Sequence, residues 1–312
     1  MSLVIGDSRA VLPTLDAERF DACVTDPPYE IGLVGKRWDR SGVAFDPAFW
    51  RSVLRTLKPG GHLLAFGGTR TAHRMVCAIE DAGFEIRDTL QWLYNNGYPK
   101  NARTQLKPAH EPITLARKPG PLLPLGIAEC RLEGRPVQCG NLRDTEKPIL
   151  SASMGPKKST RFDYQRRLLA GEIQGRFPSN VLFSHIADCT DSECAPGCAV
   201  AELDRQCPPE RIAARKGSGR FFFCGKASPR ERLIGGVKNP HPTVKPLHLM
   251  RYLVRLACPE GGEVLDPFAG SGSTLVACAE QGRRYFGIEQ SAQYAEIAQA
   301  RLAGVNRDRS TA

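Results

Sequence analysis

The chain has 312 residues, of which 41% are apolar, and it carries 43 Lys and Arg against 33 Asp and Glu, a net charge of +10. That is enough apolar material for a sizeable core, and the basic balance points to an anionic partner, nucleic acid ahead of a membrane surface. No run approaches the roughly 18 to 20 apolar residues of a membrane helix and the opening MSLVIGDSRAVLP lacks the order of a signal peptide, so an intracellular, cytoplasmic protein is expected.

Residues 1 to 116 alternate short β-rich runs with helical spacing. LVI (3–5) and DACVT (21–25) read as strands, PAFWRSVLRTL (47–57) as a helix and HLLAFG (62–67) as a strand. TAHRMVCAIEDAG (71–83) is a helix with a glycine stop, followed by strands near IRDTLQWLY (86–94) and EPITLAR (111–117). This is the βαβ rhythm of a parallel sheet. Residues 118 to 240 break it with Pro, Gly and Arg, as in GPKKSTRFDYQRR, and read as an inserted module. Between 117 and 240 the chain holds 21 Lys and Arg against 13 Asp and Glu, net +8, which leaves only +2 for the rest. The order then returns: a helix at 246–257, a strand at 263–268, the turn AGSGST, a helix at 275–281, a strand at 284–289 and a last helix at 291–302.

Two short stretches carry chemistry. In LDPFAGSGST (265–274), Gly270 and Gly272 let the backbone approach a ligand, and the amides at the helix start favour negative charge. Glu289, at the end of the next strand, could accept hydrogen bonds from ribose hydroxyls. The turn fits NAD, flavin or S-adenosylmethionine, or a bland tight-packing turn; Leu275 stands where a dinucleotide fingerprint has a third small residue, which weighs against a pyrophosphate. In TDPPYEIG (25–32), Asp26 falls where a parallel strand ends, and Pro27 and Pro28 remove two N–H donors, leaving a rigid cluster of acceptors. Such a cluster suits an exocyclic amino group, and Tyr29 offers a face on which an aromatic base can stack. A capped proline turn is the plain alternative for DPPY alone.

Taken together, DPPY at 26–29 and DPFAGSGST at 266–274 resemble the S-adenosylmethionine-dependent amino methyltransferases of DNA, in the order of their β class. LKPGGHLLAFGGTR (57–70), LKPAHEPITLARKP (106–119), GRFPSNVLF (175–183), NPHPTVKP (239–246) and GRRYFGIE (282–289) extend the match. The resemblance implies a circularly permuted Rossmann-like methyltransferase sheet, α/β and mostly parallel with helices on both faces. It would be made of a catalytic half (1–117), a target-recognition module (118–240) and a cofactor half (241–312). It further implies methyl transfer to an adenine N6 or cytosine N4 of duplex DNA, with the base flipped out. The acid before PPY favours adenine, within the resemblance, and cytosine N4 is the runner-up. Asp26 and the Pro27 carbonyl would accept the target amine beside Pro28, and Tyr29 would stack on the base. Asp266, Phe268, Gly270 and Gly272 would hold the methionine part of the cofactor, Glu289 its ribose, Asp7 would lie near its adenine, and Thr243 and Lys245 beside its methionine end. A solvated helix-start residue is the plain alternative for Lys245. The resemblance admits a homodimer and a cognate restriction nuclease as partners, the setting being the nucleoid of a prokaryote or its phage.

Within the inserted module, Lys157, Lys158 and Arg161, then Arg166 and Arg167, then Arg211, Arg215 and Lys216 are candidate phosphate contacts as a set. HIADCTDSECAPGC places His185, Cys189, Cys194 and Cys198 where they could close a structural zinc site, or remain thiols in a loop. Eleven cysteines in such a chain argue against a disulfide framework, and Cys23, Cys77, Cys258 and Cys278 read as small core residues. Trp38 could shape the mouth of a base pocket or pack under its loop. An RNA amino methyltransferase, a nicotinamide oxidoreductase and a catalytically silent DNA-binding module are the competing functions. The oxidoreductase would leave DPPY and the basic insertion idle, and a silent module predicts damage at the acceptor cluster or the cofactor pocket, whose motifs are both intact.

Overall fold

A computed structural model describes residues 1–32, 35, 37–94, 106, 109–130, 179–182, 194, 198, 201, 227, 231–236, 239–241 and 243–310. In chain order the elements are β1 (Ser2–Ile5), α1 (Ser8–Val11), β2 (Phe20–Thr25), α2 (Pro47–Thr56), β3 (Leu57–Phe66), α3 (Ala72–Asp81), β4 (Glu85–Leu93), β5 (His110–Arg117) and β6 (Val181–Leu182). They continue with α4 (Leu247–Ala257), β7 (Glu263–Asp266), α5 (Ser273–Glu280), β8 (Arg284–Glu289) and α6 (Ala292–Ser310). Among the described residues these strands form one eight-stranded sheet, ordered β1-β8-β7-β2-β3-β5-β4-β6.

The two late strands are therefore inserted between the two earliest. β7 pairs with β2 in parallel, Ala22 opposite Val264 and Cys23 opposite Leu265, and β8 lies between β7 and β1. The resulting sheet is the permuted Rossmann-like arrangement expected from the motif order. One strand departs from the expected parallel rhythm. β5 runs antiparallel to both β3 and β4, so its residue Glu111 lies beside Trp92 near the same sheet edge that carries the end of β3.

Alternation along the strands separates two apolar layers. Ala22, Val24, Leu64 and Phe66 face α4 and α5 together with Leu253 and Val276. Cys23, Leu63 and Ala65 face α2 and α3 with Trp50, Val53 and Ile79. α2 starts where Asp46 accepts the Ala48 amide at 2.8 Å and Pro47 presets the first turn. Its Phe49, Trp50 and Val53 are buried, and burying each such side chain stabilises by roughly 1.5–3 kcal/mol. Cys23, Cys258 and Cys278 are buried as expected, but Cys77 is exposed. The reason is helical phase: Met75, Ala78 and Ile79 take the inner face of α3 and leave position 77 outside.

The segment beyond β5 does not leave the body at once. Gly126 donates to Leu256 at 2.8 Å, close enough that an added Cβ would meet the Arg255 carbonyl at 2.0 Å, and Glu129 pairs with Arg283 at 2.7 Å. At the other end, Glu231 accepts the Leu247 amide at 2.8 Å and caps the approach to α4. The basic clusters from Lys157 to Lys216 lie outside the described residues. Among those described, no helix is long and apolar enough to cross a membrane.

Candidate active site

β2 is a nearly continuous buried run that stops where Pro27 and Pro28 can no longer donate to a ladder. The chain turns there, and the turn is held from three sides. Thr71 donates its hydroxyl to the Tyr29 carbonyl at 2.7 Å. Gly68 lies against the ring, so that an added Cβ would come within 3.2 Å of Tyr29. Glu30 adopts a left-handed conformation (φ 57°), with its amide satisfied by Asp39 at 2.9 Å.

Asp26 is thereby presented to a buried ion cluster. Lys245, only 7% exposed, places Nζ 2.6 Å from Asp26 Oδ2 and 3.4 Å from Glu111 Oε2. The same Glu111 oxygen accepts the Tyr29 hydroxyl at 2.7 Å. The ammonium also lies 4.9 Å from the Phe66 ring centroid and 5.4 Å from that of Tyr29. Burial pushes the Asp26 carboxyl above its ordinary value, and the ammonium opposes this. For Lys245 burial works against the charge, but the two carboxylates outweigh it and its pKa is raised. With Oδ2 taken by Lys245, Asp26 Oδ1 is buried and has no hydrogen-bond partner among the described residues.

Across the seam, β7 ends at Asp266, whose Oδ1 accepts the Thr25 hydroxyl at 2.8 Å and the Phe268 amide at 3.1 Å. Burial raises this carboxyl to about 6, and the hydrogen bonds from Thr274 and Thr25 limit the rise. Gly270 (φ 51°) donates its amide to Glu289 Oε2 at 2.8 Å, while Glu289 Oε1 accepts the Ser291 amide at 2.8 Å. Gly272 (φ 81°) caps α5, and a Cβ there would meet that of Ala298 at 2.8 Å. Ser8 donates its hydroxyl to the Pro267 carbonyl, tying the start of the chain to the same turn.

Behind the glycines stands fully buried Arg301, which donates to the Ser271 carbonyl at 2.6 Å and to the Ser273 hydroxyl at 3.2 Å. Burial lowers its guanidinium to about 10. Asn239 donates to the Ser271 hydroxyl at 2.8 Å. His241, whose Nδ1 accepts the Thr243 amide at 3.3 Å, is pushed down to about 4 by burial and three nearby cations. It is a neutral imidazole at pH 7, with its proton on Nε2.

Both motifs open into one cleft of about 1310 Å³, lined by Asp26, Tyr29, Lys245, Asp266, Phe268 and Glu289 among others. Asp7, Pro27, Pro28, Thr243 and Gly270 also line it; Gly272 does not, being packed on α6. Asp7 caps α1 by accepting the Arg9 amide at 2.9 Å and pairs with the Arg9 guanidinium, which holds its carboxyl below the usual range. Lys245 is not a solvated helix-start residue, and half-buried Trp38 lines the cleft. His185 and Cys189 lie outside the described residues; Cys194 is exposed and Cys198 buried. Among the described residues no group of three or more potential ligands could hold a metal. Glu111, Asn239 and Arg301 are members of the site to which the sequence reading gave no role. Glu111 falls in LKPAHEPITLARKP and Asn239 in NPHPTVKP, stretches already matched, whereas Arg301 sits in an ordinary helical pattern with no local signal.

The chain is similar to known proteins over nearly its whole length. The chain is 24% identical over 307 residues to the type II methyltransferase M.HpaI of Haemophilus parainfluenzae, covering 96% of this chain and 73% of that protein. Two solved structures share its fold. The M1.HpyAVI–SAM complex has TM-score 0.53 at 18% identity over 96% of this chain and 98% of that one. The cytosine-N4-specific PvuII DNA methyltransferase has TM-score 0.56 at 16% identity over 98% and 90%. The N6/N4 methyltransferase family model, described as DNA methylase, matches residues 20–300. The chain belongs to this family of DNA amino methyltransferases.

Proposed function

We propose that the chain transfers a methyl group from S-adenosylmethionine to the N6 amino group of an adenine flipped out of duplex DNA. The observation that carries this reading is Asp26 Oδ1, a buried acceptor with no partner among the described residues, in the same cleft as the glycine turn. An adenine amine has its lone pair delocalised into the ring. An acceptor on one N–H, with Tyr29 stacked against the base, would localise that pair on nitrogen.

The cofactor fits the residues present. Ordinary small-molecule pockets measure roughly 300–1,000 Å³, so a cleft of about 1310 Å³ leaves room for a base beside a cofactor. Asp266 offers a carboxylate to the cationic end, Gly270 keeps a positive φ with no Cβ to crowd His241 Nε2, which it would meet at 3.2 Å, and the fixed Glu289 carboxylate can still accept from ribose hydroxyls. When bound, S-adenosylmethionine would supply an electrophilic methyl: one N–C bond would form as the S–C bond breaks, the bonding pair leaving on sulfur and the nitrogen's proton passing by way of Asp26 Oδ1 to solvent. The protein would contribute alignment, exclusion of water and the acceptor, without a covalent intermediate. Adenine is favoured over cytosine by the acid in front of PPY. Duplex DNA is favoured by the net charge of +8 between residues 117 and 240.

Incubation with methyl-labelled S-adenosylmethionine and unmethylated DNA, followed by digestion to nucleosides and mass spectrometry, tests the proposal. Label in N6-methyl-2′-deoxyadenosine is the expected result. Label in N4-methyl-2′-deoxycytidine would overturn the choice of base, and no label in DNA would overturn the activity.

A further inference from the structure

Lys245, expected beside the methionine end of the cofactor, instead pairs behind the DPPY turn with Asp26 and with Glu111, which had no expected role. We infer that Lys245 and Glu111 act as positioning residues, locking the amine-accepting carboxylate and the base-stacking ring into one rigid unit. The inference rests on the proposed function of this cleft.

A carboxylate on a turn can rotate and offer either oxygen. Here Lys245 occupies Oδ2 at 2.6 Å, so Oδ1 alone remains for a substrate N–H. Glu111 touches both halves of the unit, with Oε2 3.4 Å from the ammonium and 2.7 Å from the Tyr29 hydroxyl. The carboxylate that accepts the amine and the ring that stacks on its base are thus joined through Lys245 and Glu111, on segments 219 and 82 residues away from them. Breaking a buried pair leaves an uncompensated charge, so neither partner is exchangeable for a neutral residue without effect on the other.

The charges also set which way Asp26 titrates. Facing it are Lys245 from the lead into α4, Glu111 from β5, Tyr29 from its own turn and Asp266 from the end of β7; Tyr94 and His241 border Glu111 and Lys245 respectively. Lys245 favours the ionised acceptor, whereas Glu111 disfavours it. Removing one or the other must therefore move the carboxylate in opposite directions. A merely structural pair would lower activity without such a signature.

The test uses the full chain and three variants, Lys245→Met, Lys245→Arg and Glu111→Gln. The kcat–pH profile on unmethylated DNA is measured together with the titration of the Asp26 carboxyl by aspartate 13C NMR, the signal being assigned by its loss in Asp26→Asn. For Lys245→Met, kcat falls by on the order of a hundredfold through misplacement of the acceptor. Its acid limb and the Asp26 signal both move to higher pH. Lys245→Arg restores the limb, and Glu111→Gln moves it to lower pH. An unmoved Asp26 titration in Lys245→Met, or a shift of the same sign in both neutral variants, would overturn the inference. Should Lys245→Met fail to fold, the sign in Glu111→Gln decides alone. If the wild type transfers no methyl to DNA, the function falls; if it does and the titrations stay fixed, only the positioning role falls.

Discussion

The Thr25 hydroxyl donates to Asp266 Oδ1 at 2.8 Å although 241 residues separate them in the chain. This bond crosses the seam between β2 and β7, where the DPPY turn and the glycine turn leave the sheet side by side. Replacing Thr25 with Val keeps the shape and removes the donor to a buried carboxyl. The expected cost is about 1–3 kcal/mol, read by chemical denaturation, with methyl transfer reduced because both turns are anchored at this point.

Asp266 also gives the site a dependence on pH. Its folded-state pKa of about 6 lies above the ordinary 3.8, so the folded protein holds this proton more tightly than the unfolded chain. The contribution to stability is full below pH 3.8 and is lost as pH rises through about 6. A cationic ligand beside Asp266 favours the ionised form, so S-adenosylmethionine should bind more tightly as pH rises through that window. Calorimetry between pH 5 and 7.5 checks this, and Asp266→Asn should flatten the profile.

Gly272 needs its glycine for two reasons: φ is 81°, and a Cβ would lie 2.8 Å from that of Ala298. Gly272→Ala is expected to cost about 1–3 kcal/mol from the backbone alone, with overpacking against α6 in addition. A thermal melt that differs from wild type by less than a degree would contradict this.

Arg301 reaches the glycine turn from behind through its bonds to Ser271 and Ser273. Arg301→Lys retains the charge but loses the fork of donors. We expect binding of S-adenosylmethionine to weaken by roughly 1.5–3 kcal/mol, the value of a hydrogen bond to a charged group, which is about a ten- to hundredfold rise in Kd, with kcat at saturating cofactor little changed. Equilibrium binding and saturation kinetics separate the two.

Much of this was legible because strand ends and turns advertise themselves locally. PAFWRSVLRTL reads as a helix and forms one over Pro47–Thr56, since Asp46, Pro47 and the apolar spacing agree. EVLDPF was read as a strand to Phe268 but pairs only to Asp266, because Pro267 cannot donate and Asp266 turns back to accept the Phe268 amide. HLLAFG reads as a strand from His62, but β3 already opens at Leu57, because the Lys118 carbonyl accepts the Gly60 amide and the Lys118 amide donates to the Gly61 carbonyl. The direction of β5 was not legible, as alternation encodes faces and not polarity. Glu111 was hidden for the same reason: a glutamate at a strand start looks solvated until Lys245, 134 positions later, folds over it.

The central claim is that Asp26 accepts the target amine while the cofactor is held by other residues of the same cleft. Single-turnover methyl transfer to unmethylated duplex by Asp26→Ala, run beside calorimetric titration of that variant with S-adenosylmethionine, tests this most directly. The account predicts transfer reduced by about a thousandfold or more with cofactor affinity within a few-fold of wild type. Transfer at a near wild-type rate would contradict it.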